Sequence, residues 1–387
     1  MRILIHVQHL LGSGHLVRMR QLAASLANRD HKVDLLTGGM PVPGSVPGVR
    51  EIQLPPLKVK PGEFNQLLDS DEMPVRQNYL DSRTATIHDH LQTAQPDVLI
   101  VETYPFGRKS IRSEITTLLK SAHAQPFRPM VACSIRDILQ RRTEERQLKM
   151  VGELDQFDLV LCHSDPEWIA LDDSFDCVEM FRHKLFYSGF VSNDHNDLPC
   201  PASGVDTGDG SNEIVVSAGG GAVAEPLVYA AIGAARKSSN GSRWRILIGA
   251  AIDAQTYGRI CEHLPGNCIV ERNRPDFVEL LSRCKVSISQ AGYNTCIELL
   301  RCGCPSVIVP YARDGETEQT QRARILQSKG ACITLHESQL NADELLAAID
   351  AAIRTAKTTQ TVPDLNGAYG TATILEHEFE KFRKRKT

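Results

Sequence analysis

The sequence of 387 residues lacks several features that mark whole classes of protein. No apolar run approaches the roughly 18 residues that a membrane-spanning helix needs. The first residues, Met1 to Val7, reach polar side chains too soon for the core of a signal peptide. The 11 cysteines include no Cys-x-x-Cys pair, and Cys302 and Cys304 lack matching metal ligands. We therefore expect a cytoplasmic protein with reduced, buried thiols.

An excess of charge of either sign is also missing. The formal net charge is −4, and no long segment has the basic surplus that neutralises nucleic-acid phosphates, so we expect no nucleic-acid partner. The tail from Lys381 to Lys386 is the exception. It is typical of a solvated helix end, with weak peripheral contact to an anionic membrane as the alternative.

What the chain has is a repeated alternation of apolar strands and amphipathic helices, which predicts an α/β protein. Its length favours two domains. We expect an N-terminal domain over residues 1–192, a linker over 193–212, and a C-terminal domain over 213–368. The alternation predicts two doubly wound, Rossmann-like domains that face each other across a cleft. We expect residues 40–76 to be irregular, and a last helix within 369–387 to pack back on the first domain.

Polar residues follow the predicted strands of the first domain. The first strand, Arg2 to Val7, leads to Gly12-Ser-Gly-His15, which is not the G-x-G-x-x-G of a dinucleotide site. His15 is a candidate general base, because an imidazole can take a proton at neutral pH. The alternative is that its side chain caps the helix or pairs with a backbone group. Glu102 is a second candidate base, with a solvated strand-end carboxylate as its alternative. Lesser candidates with similar placement are Arg136, Asp137 and His163.

The second domain carries the densest motif, Ser289-Gln-Ala-Gly-Tyr-Asn-Thr-Cys-Ile-Glu298. We expect a strand, a turn at Gly292, and a helix that opens at Asn294 or Thr295 with Glu298 on its first turn. A helix N-terminus can bind a diphosphate, and a carboxylate can accept hydrogen bonds from ribose hydroxyls. The alternative is a capping box, Thr295-x-x-Glu298, in which the glutamate serves only the helix backbone.

These motifs resemble those of GT-B-fold glycosyltransferases of the MurG-like group, which forms lipid II from lipid I, and of the predicted-glycosyltransferase relatives of that group. The resemblance rests on Gly12-Ser-Gly-His15, on Ser217-Ala-Gly-Gly-Gly221, on Ile288 to Pro305, and on Glu318-Gln-Thr-Gln-Arg-Ala323. It covers nearly the whole chain at the level of motifs, and the C-terminal set is the more specific.

The resemblance implies that the chain transfers a sugar from a nucleoside diphosphate sugar, UDP-linked, to an acceptor hydroxyl. It implies an inverting displacement without a metal or another cofactor. The acceptor would be a small molecule, a glycan or a lipid-linked compound. His15 and Glu102 would be catalytic. The implied donor-binding residues are Gly12, Gly14, Gly219, Gly220, Gly221, Gln290, Gly292, Asn294, Thr295, Glu298, Glu318 and Gln319.

One departure keeps two alternatives open. The lipid II enzymes carry extra glycines before the histidine, whereas this chain has Gly12-Ser-Gly-His-Leu-Val-Arg18. That shorter G-x-G-H-x-x-R form is similar to the UDP-sugar hydrolase of pseudaminic acid synthesis, in which the histidine activates water. Hydrolysis of a UDP-sugar is therefore the first alternative. A nucleotide-sugar binding protein without catalysis is the second.

Overall fold

A computed structural model gives the fold of the chain. It describes residues 1–60, 66–192, 208–217, 225–238, 241–249, 252–313, 315–355 and 362–385. The chain divides into two compact units, one formed by Met1–Ser192 with Asp364–Thr387 and the other by Asn193–Pro363. Most of the predicted linker, residues 193–207, lies outside the described residues.

Seven parallel strands form the sheet of the first unit in the order β3-β2-β1-β4-β5-β6-β7. The central strands are runs of Val, Ile and Leu, as expected where both faces of a parallel sheet are covered. The strands are β1 (Arg2–Val7), β2 (Lys32–Thr37), β3 (Val49–Gln53), β4 (Val98–Glu102), β5 (Met130–Arg136), β6 (Leu159–His163) and β7 (Leu185–Tyr187).

Helices cover both faces of this sheet. They are α1 (Gly14–Ala27), α2 (Gln77–Ala94), α3 (Arg112–His123), α4 (Glu144–Glu153) and, from the end of the chain, the helix over Gly367–Lys384. Ile3 and Ile5 of β1 share a buried cluster with α1 and the C-terminal helix, whereas Leu4 shares one with α2 and α3. Successive residues of one strand therefore serve opposite cores, as strand geometry requires.

The structure differs from the expectation for residues 40–76, since β3 lies inside that segment. Val49–Gln53 pairs with β2 at the edge of the sheet, and none of its residues is fully buried. A half-exposed edge strand needs few apolar residues, which explains why the composition concealed it. The chain also returns to the first unit at Asp364, five residues before the predicted start of the last helix.

The second unit has six parallel strands in the order β10-β9-β8-β11-β12-β13. Its strands are β8 (Ile214–Ser217), β9 (Trp244–Ile248), β10 (Cys268–Arg272), β11 (Val286–Ser289), β12 (Ser306–Ile308) and β13 (Ile333–Thr334). Its helices are α5 (Glu225–Lys237), α6 (Ala254–Cys261), α7 (Phe277–Arg283), α8 (Tyr293–Cys302), α9 (Glu318–Ser328) and α10 (Ala342–Thr355), which leaves α11 for Gly367–Lys384. Trp244 and Ile246 of β9 and Leu345 of α10 are buried in its core.

In each sheet, the direction in which successive strands are added reverses once. This reversal point lies between β1 and β4 in the first unit and between β8 and β11 in the second. At such a point, neighbouring strands send their following loops to opposite faces, and this opens a crevice at the carboxyl ends of the strands. Among the residues that the structure describes, no helix is long and apolar enough to cross a membrane.

Candidate active site

The reversal point of the first sheet brings His15 and Glu102 together. His15 is the second residue of α1, which follows β1, and Glu102 is the last residue of the neighbouring strand β4. Nδ1 of His15 lies 2.6 Å from Oε1 of Glu102, although 87 residues separate them in the chain. With Nδ1–H as the donor to the carboxylate, Nε2 is the nitrogen left to exchange a proton with a ligand. The His15 side chain is 20% exposed and can therefore be reached.

Glu102 is a buried carboxylate that accepts several hydrogen bonds. Its side chain has no exposed surface, and it accepts hydrogen bonds from Nη2 of Arg18 at 2.6 Å and from Nη2 of Arg108 at 3.0 Å. The hydroxyl of Thr103 donates to the same oxygen as His15. Both carboxylate oxygens thus accept hydrogen bonds from protein donors. This geometry suits a carboxylate that orients the His15 imidazole.

The loop after β4 holds these donors in an unusual backbone conformation. Thr103 has φ of 66° and Arg108 has φ of 64°, in the left-handed region that non-glycine residues rarely occupy. For the β-branched Thr103 this conformation is strained, at a cost on the order of 1–3 kcal/mol. The charge-assisted bonds to Glu102 offset that cost. The sequence motif contains Arg18, but nothing in the sequence pointed to Arg108.

The charges fix the protonation of the pair. Burial alone would raise the pKa of Glu102, but His15 and the guanidiniums of Arg108 and Arg18 outweigh it and hold the pKa well below its usual value. Burial is also the main reason that the pKa of His15 falls to about 3, and the Arg108 charge adds to it against the opposing pull of Glu102. Glu102 is therefore ionised at neutral pH, and His15 is neutral and able to accept a proton.

The lesser candidates His163 and Asp137 lie at the ends of neighbouring strands, and their hydrogen-bond partners differ from those of His15. His163 ends β6 and is fully buried between the hydroxyls of Ser134, at 2.7 Å, and Ser188, at 2.9 Å. Asp137 is also buried, and its Oδ1 accepts the amide N–H of Ile138 at 2.8 Å. These contacts tie strands and loops together. They do not direct the two side chains to a ligand.

The reversal point of the second sheet lies between β8 and β11. The glycines Gly219, Gly220 and Gly221, which follow β8, lie outside the described residues. The turn after β11 is Gln290-Ala291-Gly292, and it leads directly into α8. The predicted strand, turn and helix are thus present at the carboxyl edge of the sheet.

The start of α8 differs from the expectation, and the difference decides against the capping box. The helix begins at Tyr293 with Gly292 as its N-cap, and this residue has no side chain that could cap the helix. Thr295 is therefore the third helical residue and cannot be the cap, and Glu298 is the sixth and lies beyond the first turn. The helical ladder begins with the N–H of Cys296 donating to the carbonyl of Gly292 at 3.0 Å. The amides of Tyr293, Asn294 and Thr295 precede that bond, at the positive end of the helix.

Gly12 precedes α1 and Gly292 precedes α8. What matters at both positions is the space around the glycine and not its backbone angle. Gly292 has an ordinary φ of −63°, and among the described residues a Cβ built on it would meet only Oγ1 of Thr295 at 3.9 Å. A Cβ on Gly12 would meet no described atom within 4 Å. Nothing in the described part of the chain therefore requires glycine at either position, and the absence of a side chain leaves the backbone open to close approach by a ligand.

The second donor motif opens α9 and is fixed to the first by an arginine. Oε1 of Glu316 accepts from the N–H of Glu318 at 2.6 Å and from the N–H of Gln319 at 3.2 Å, and so caps the helix. One turn later, Nη1 of Arg322 donates to the carbonyl of Ala291 at 2.8 Å. Arg322 is 1% exposed, and its guanidinium lies over the ring of Tyr293, 5.9 Å from the centroid.

Arg322 therefore links α9, the helix that begins at Glu318 and Gln319, to the Gln290–Gly292 turn. Gln319 is itself oriented, because its Oε1 accepts the N–H of Tyr311 at 3.1 Å. Glu298 is 6% exposed on the buried side of α8. The sequence motifs identified Glu298, Glu318 and Gln319 as candidates, but they did not indicate the role of Arg322. Within the described ranges, no group of three or more His, Cys, Asp or Glu residues is arranged to hold a metal ion.

Comparison with protein families matches residues 214–376 to the glycosyltransferase family 28 C-terminal domain, which is less than half of the chain. The UDP-N-acetylglucosamine--N-acetylmuramyl-(pentapeptide) pyrophosphoryl-undecaprenol N-acetylglucosamine transferase of Desulforamulus reducens is 34% identical over 84 residues, 22% of this chain and 23% of that protein. The second such enzyme of Bacillus thuringiensis (strain Al Hakam) is 30% identical over 120 residues, 31% and 33% of the two chains. The chain thus matches about a quarter to a third of the length of these relatives.

Solved structures show the fold over the whole length. The calicheamicin glycosyltransferase has a TM-score of 0.62 at 15% identity and covers 100% of this chain and 99% of its own. MurG of Acinetobacter baumannii has a TM-score of 0.58 at 12% identity, with 97% and 100% covered. The expected fold of two Rossmann-like domains is confirmed. In its C-terminal family match, its relatives and its fold, the chain resembles the MurG-like GT-B glycosyltransferases.

Proposed function

We propose that the chain is a glycosyltransferase that moves a sugar from a UDP-linked donor to an acceptor hydroxyl with inversion at the anomeric carbon. The second unit holds the donor, and the first unit removes the proton of the acceptor. The observation that carries this choice of chemistry is the His15–Glu102 hydrogen bond of 2.6 Å at the reversal point of the first sheet. The family match of residues 214–376 supports the same reaction class.

In the acceptor half, Nε2 of His15 takes the proton of the acceptor hydroxyl as its oxygen attacks the anomeric carbon. The bond from that carbon to the diphosphate oxygen breaks, and the electron pair leaves with the nucleoside diphosphate. Glu102 keeps Nδ1 of His15 protonated and stabilises the imidazolium that forms. Because Arg18 and Arg108 occupy Glu102 and hold it ionised, we assign it this positioning role in place of the role of base.

In the donor half, the amides at the start of α8 and the Gly219–Gly221 loop would bind the diphosphate, since a helix N-terminus favours negative charge. Gln290, Asn294 and Thr295 belong to the same turn and first helical residues. Glu298 would accept hydrogen bonds from the ribose, and Glu318 and Gln319 would bind the sugar hydroxyls. Gly12 and Gly14, in the loop before α1, are the remaining proposed donor-binding residues. With backbone dipoles stabilising the leaving diphosphate, we propose that no metal is required, and EDTA should leave turnover unchanged.

The acceptor is a hydroxyl compound of the small-molecule, glycan or lipid-linked class. The relatives in D. reducens and B. thuringiensis are named for transfer to a pyrophosphoryl-undecaprenol compound, which makes a lipid-linked acceptor one member to test. We propose a cytoplasmic location, with the basic residues near Lys381 to Arg385 giving at most a weak peripheral membrane contact.

Hydrolysis of a UDP-sugar is the second candidate, because the motif that suggests it lies in the His15 site. Arg18, the last residue of the G-x-G-H-x-x-R motif, is buried and bound to Glu102 at 2.6 Å. The whole motif is thus built into the unit that orients His15, whichever hydroxyl His15 activates. Incubation with UDP-sugars and no acceptor separates the two, because steady sugar release at catalytic rates indicates a hydrolase.

The base is tested with His15→Gln. We expect kcat to fall by about 10²- to 10⁴-fold, the usual contribution of a general base, while calorimetric binding of the UDP-sugar stays unchanged. His88→Gln, on the exposed face of α2, is the matched control and should keep full turnover. Unchanged turnover in His15→Gln would remove the base assignment. Binding of a UDP-sugar by the native chain without any turnover would indicate a binding protein, and no binding of any nucleotide sugar would overturn all three candidates.

A further inference from the structure

Two thiols face each other at the amino-terminal edge of the second sheet. Cys284 directly follows α7, two residues before β11, and Cys304 stands two residues before β12. Their Sγ atoms are 3.1 Å apart and share a hydrogen bond. The strands that they precede are adjacent and parallel, with Ser287 opposite Ser306. Both cysteines are free thiols in this structure.

The separation is about 1 Å more than a disulfide bond requires. The backbone on both sides is fixed, because the N–H of Ser287 donates to the carbonyl of Pro305 at 2.9 Å and the N–H of Cys284 to that of Leu280 at 3.0 Å. A small rotation of the two side chains would therefore bring the sulfur atoms into bonding distance.

We propose that Cys284 and Cys304 are a site of reversible oxidation that closes to a disulfide when a two-electron oxidant such as glutathione disulfide is present. The thiol of Cys284 is the more exposed of the two and reacts first. Its sulfur attacks one sulfur of the oxidant, and one glutathione thiol leaves. The sulfur of Cys304, which is 7% exposed, then attacks Sγ of Cys284 and releases the second glutathione thiol. The two protons and two electrons of the pair end on the two glutathione molecules.

The disulfide would close a loop around the candidate donor segment. The chain between Cys284 and Cys304 contains β11, the Gln290–Gly292 turn and all of α8. The bond itself lies at the amino-terminal edge of the sheet, whereas the turn lies at the carboxyl edge. Oxidation therefore restrains this segment without placing a new group among the candidate ligands. This inference depends only on the thiol geometry and stands whether or not the proposed function is correct.

The test treats the native chain with glutathione disulfide and digests it with trypsin without reduction. Cleavage after Arg283, Lys285, Arg301 and Arg313 gives the peptides Cys284–Lys285 and Cys302–Arg313. We expect the intact chain to lose the mass of two hydrogen atoms, the two peptides to be linked, and dithiothreitol to reverse both changes. Persistent glutathione adducts on Cys284 or Cys304, or recovery of the two peptides without a link, would overturn the proposal.

Because Cys302 shares a peptide with Cys304, the control is Cys302→Ser. Sγ of Cys302 is directed to the carbonyl of Val278 at 3.7 Å, so this variant should still form the link. Cys304→Ser and Cys284→Ser should both lose it, and a link that survives in Cys304→Ser would assign the bond to Cys302 instead. The oxidised native chain should also show a Tm higher by at least about 3 °C than the reduced chain, since the bond restrains the unfolded loop. Equal Tm values would contradict the closure of this loop.

Discussion

The two candidate half-sites lie at the same topological position of their sheets but are built from different materials. In the first unit, the ionised carboxylate of Glu102 is bound by the neutral imidazole of His15 and by the guanidiniums of Arg18 and Arg108. In the second unit, the turn after β11 offers backbone amides, a glycine and polar side chains around the start of α8. The same edge of a doubly wound sheet therefore supports either arrangement.

The difference follows from what each half has to do. A base must be oriented and kept in one protonation state before the ligand arrives, which requires fixed charges inside the protein. A diphosphate brings its own charge, so a site for it needs only dipoles and room. Substitutions can test the fixed charges of the first half-site and the dipoles and space of the second, and the largest effect is expected in the first.

The largest effect after loss of His15 itself is expected from Glu102→Gln. The variant keeps the size of the side chain but removes the negative charge that raises the pKa of His15 and fixes its Nδ1 proton. We expect kcat to fall by about 10²-fold, since the base becomes weaker and less well oriented. We also expect the acid limb of the kcat profile to move to lower pH, measured by turnover across the pH range.

A purely structural role of Glu102 is the competing explanation, because the change leaves Arg18 buried beside a neutral amide. Such a loss lowers the free energy of unfolding by about 3–5 kcal/mol and would reduce the amount of active protein without moving the profile. A reduced kcat with an unmoved acid limb would therefore contradict the positioning role.

Arg322→Gln is expected to weaken the second half-site without touching the first. The change removes the bond to the carbonyl of Ala291 that joins the two donor motifs. We expect the KM for the donor to rise by about 10-fold, the equivalent of one lost charge-assisted hydrogen bond, and kcat to change little. Arg324→Gln, on the exposed face of α9, is the matched control. A fall in kcat with an unchanged KM would contradict the role in donor binding.

Gly292→Ala tests whether the second half-site depends on close backbone approach. Since the new Cβ would meet only Thr295 among the described residues and φ is −63°, the free energy of unfolding should stay within about 0.5 kcal/mol of the native value. Donor binding should weaken by several-fold, because the methyl group occupies the space in which the diphosphate would lie. Calorimetry with UDP measures the effect.

The same substitution at Gly12 is the matching test in the first half-site. The new Cβ of Gly12→Ala would meet no described atom within 4 Å. If Gly12 contacts the donor as we propose, it too should weaken UDP binding while the fold is unchanged. Full binding in both variants would mean that neither glycine provides access for the nucleotide.

Local motifs revealed the parts of these sites that depend on consecutive residues, and missed the parts that depend on distant ones. His15 and Gln319 could be identified because each belongs to a short motif next to a predicted strand or helix. Arg108 could not, because it reaches Glu102 only through a loop with two left-handed residues. Arg322 could not either, since its partner is a backbone carbonyl 31 residues away.

The fold shows the same limit. Buried central strands such as β1 and β11 were predicted, because both their faces are apolar. Strand β3 was missed, because an edge strand leaves little apolar signal. The start of α8 was misplaced because Thr295 and Glu298 have the spacing of a capping box, whereas the chain places Gly292 at the cap with no side-chain contact. A sequence pattern shows which residues could cap a helix but not where the backbone enters it.

A dependence of stability on pH, the prediction with the least effect on turnover at neutral pH, should be stronger in the first unit than in the second. Burial lowers the pKa values of His15 and His163 to about 3, whereas an unfolded histidine has a pKa of about 6.5. The unfolded chain therefore binds more protons below pH 6.5, and stability is lost as the pH falls from there toward 3. Each imidazole contributes a slope of at most about 1.4 kcal/mol per pH unit.

We expect hydrogen exchange to show the first unit opening more readily at pH 5 than at pH 7, with a smaller change in the second unit. His163→Asn should reduce that pH dependence by up to one proton. Ser188→Ala is the matched control, because it removes a hydrogen-bond partner of the imidazole and keeps the imidazole itself. It should lower the stability of the first unit at both pH values and leave the slope as it is. Equal slopes in His163→Asn and the native chain would show that the acid sensitivity comes from the charges around Glu102 alone.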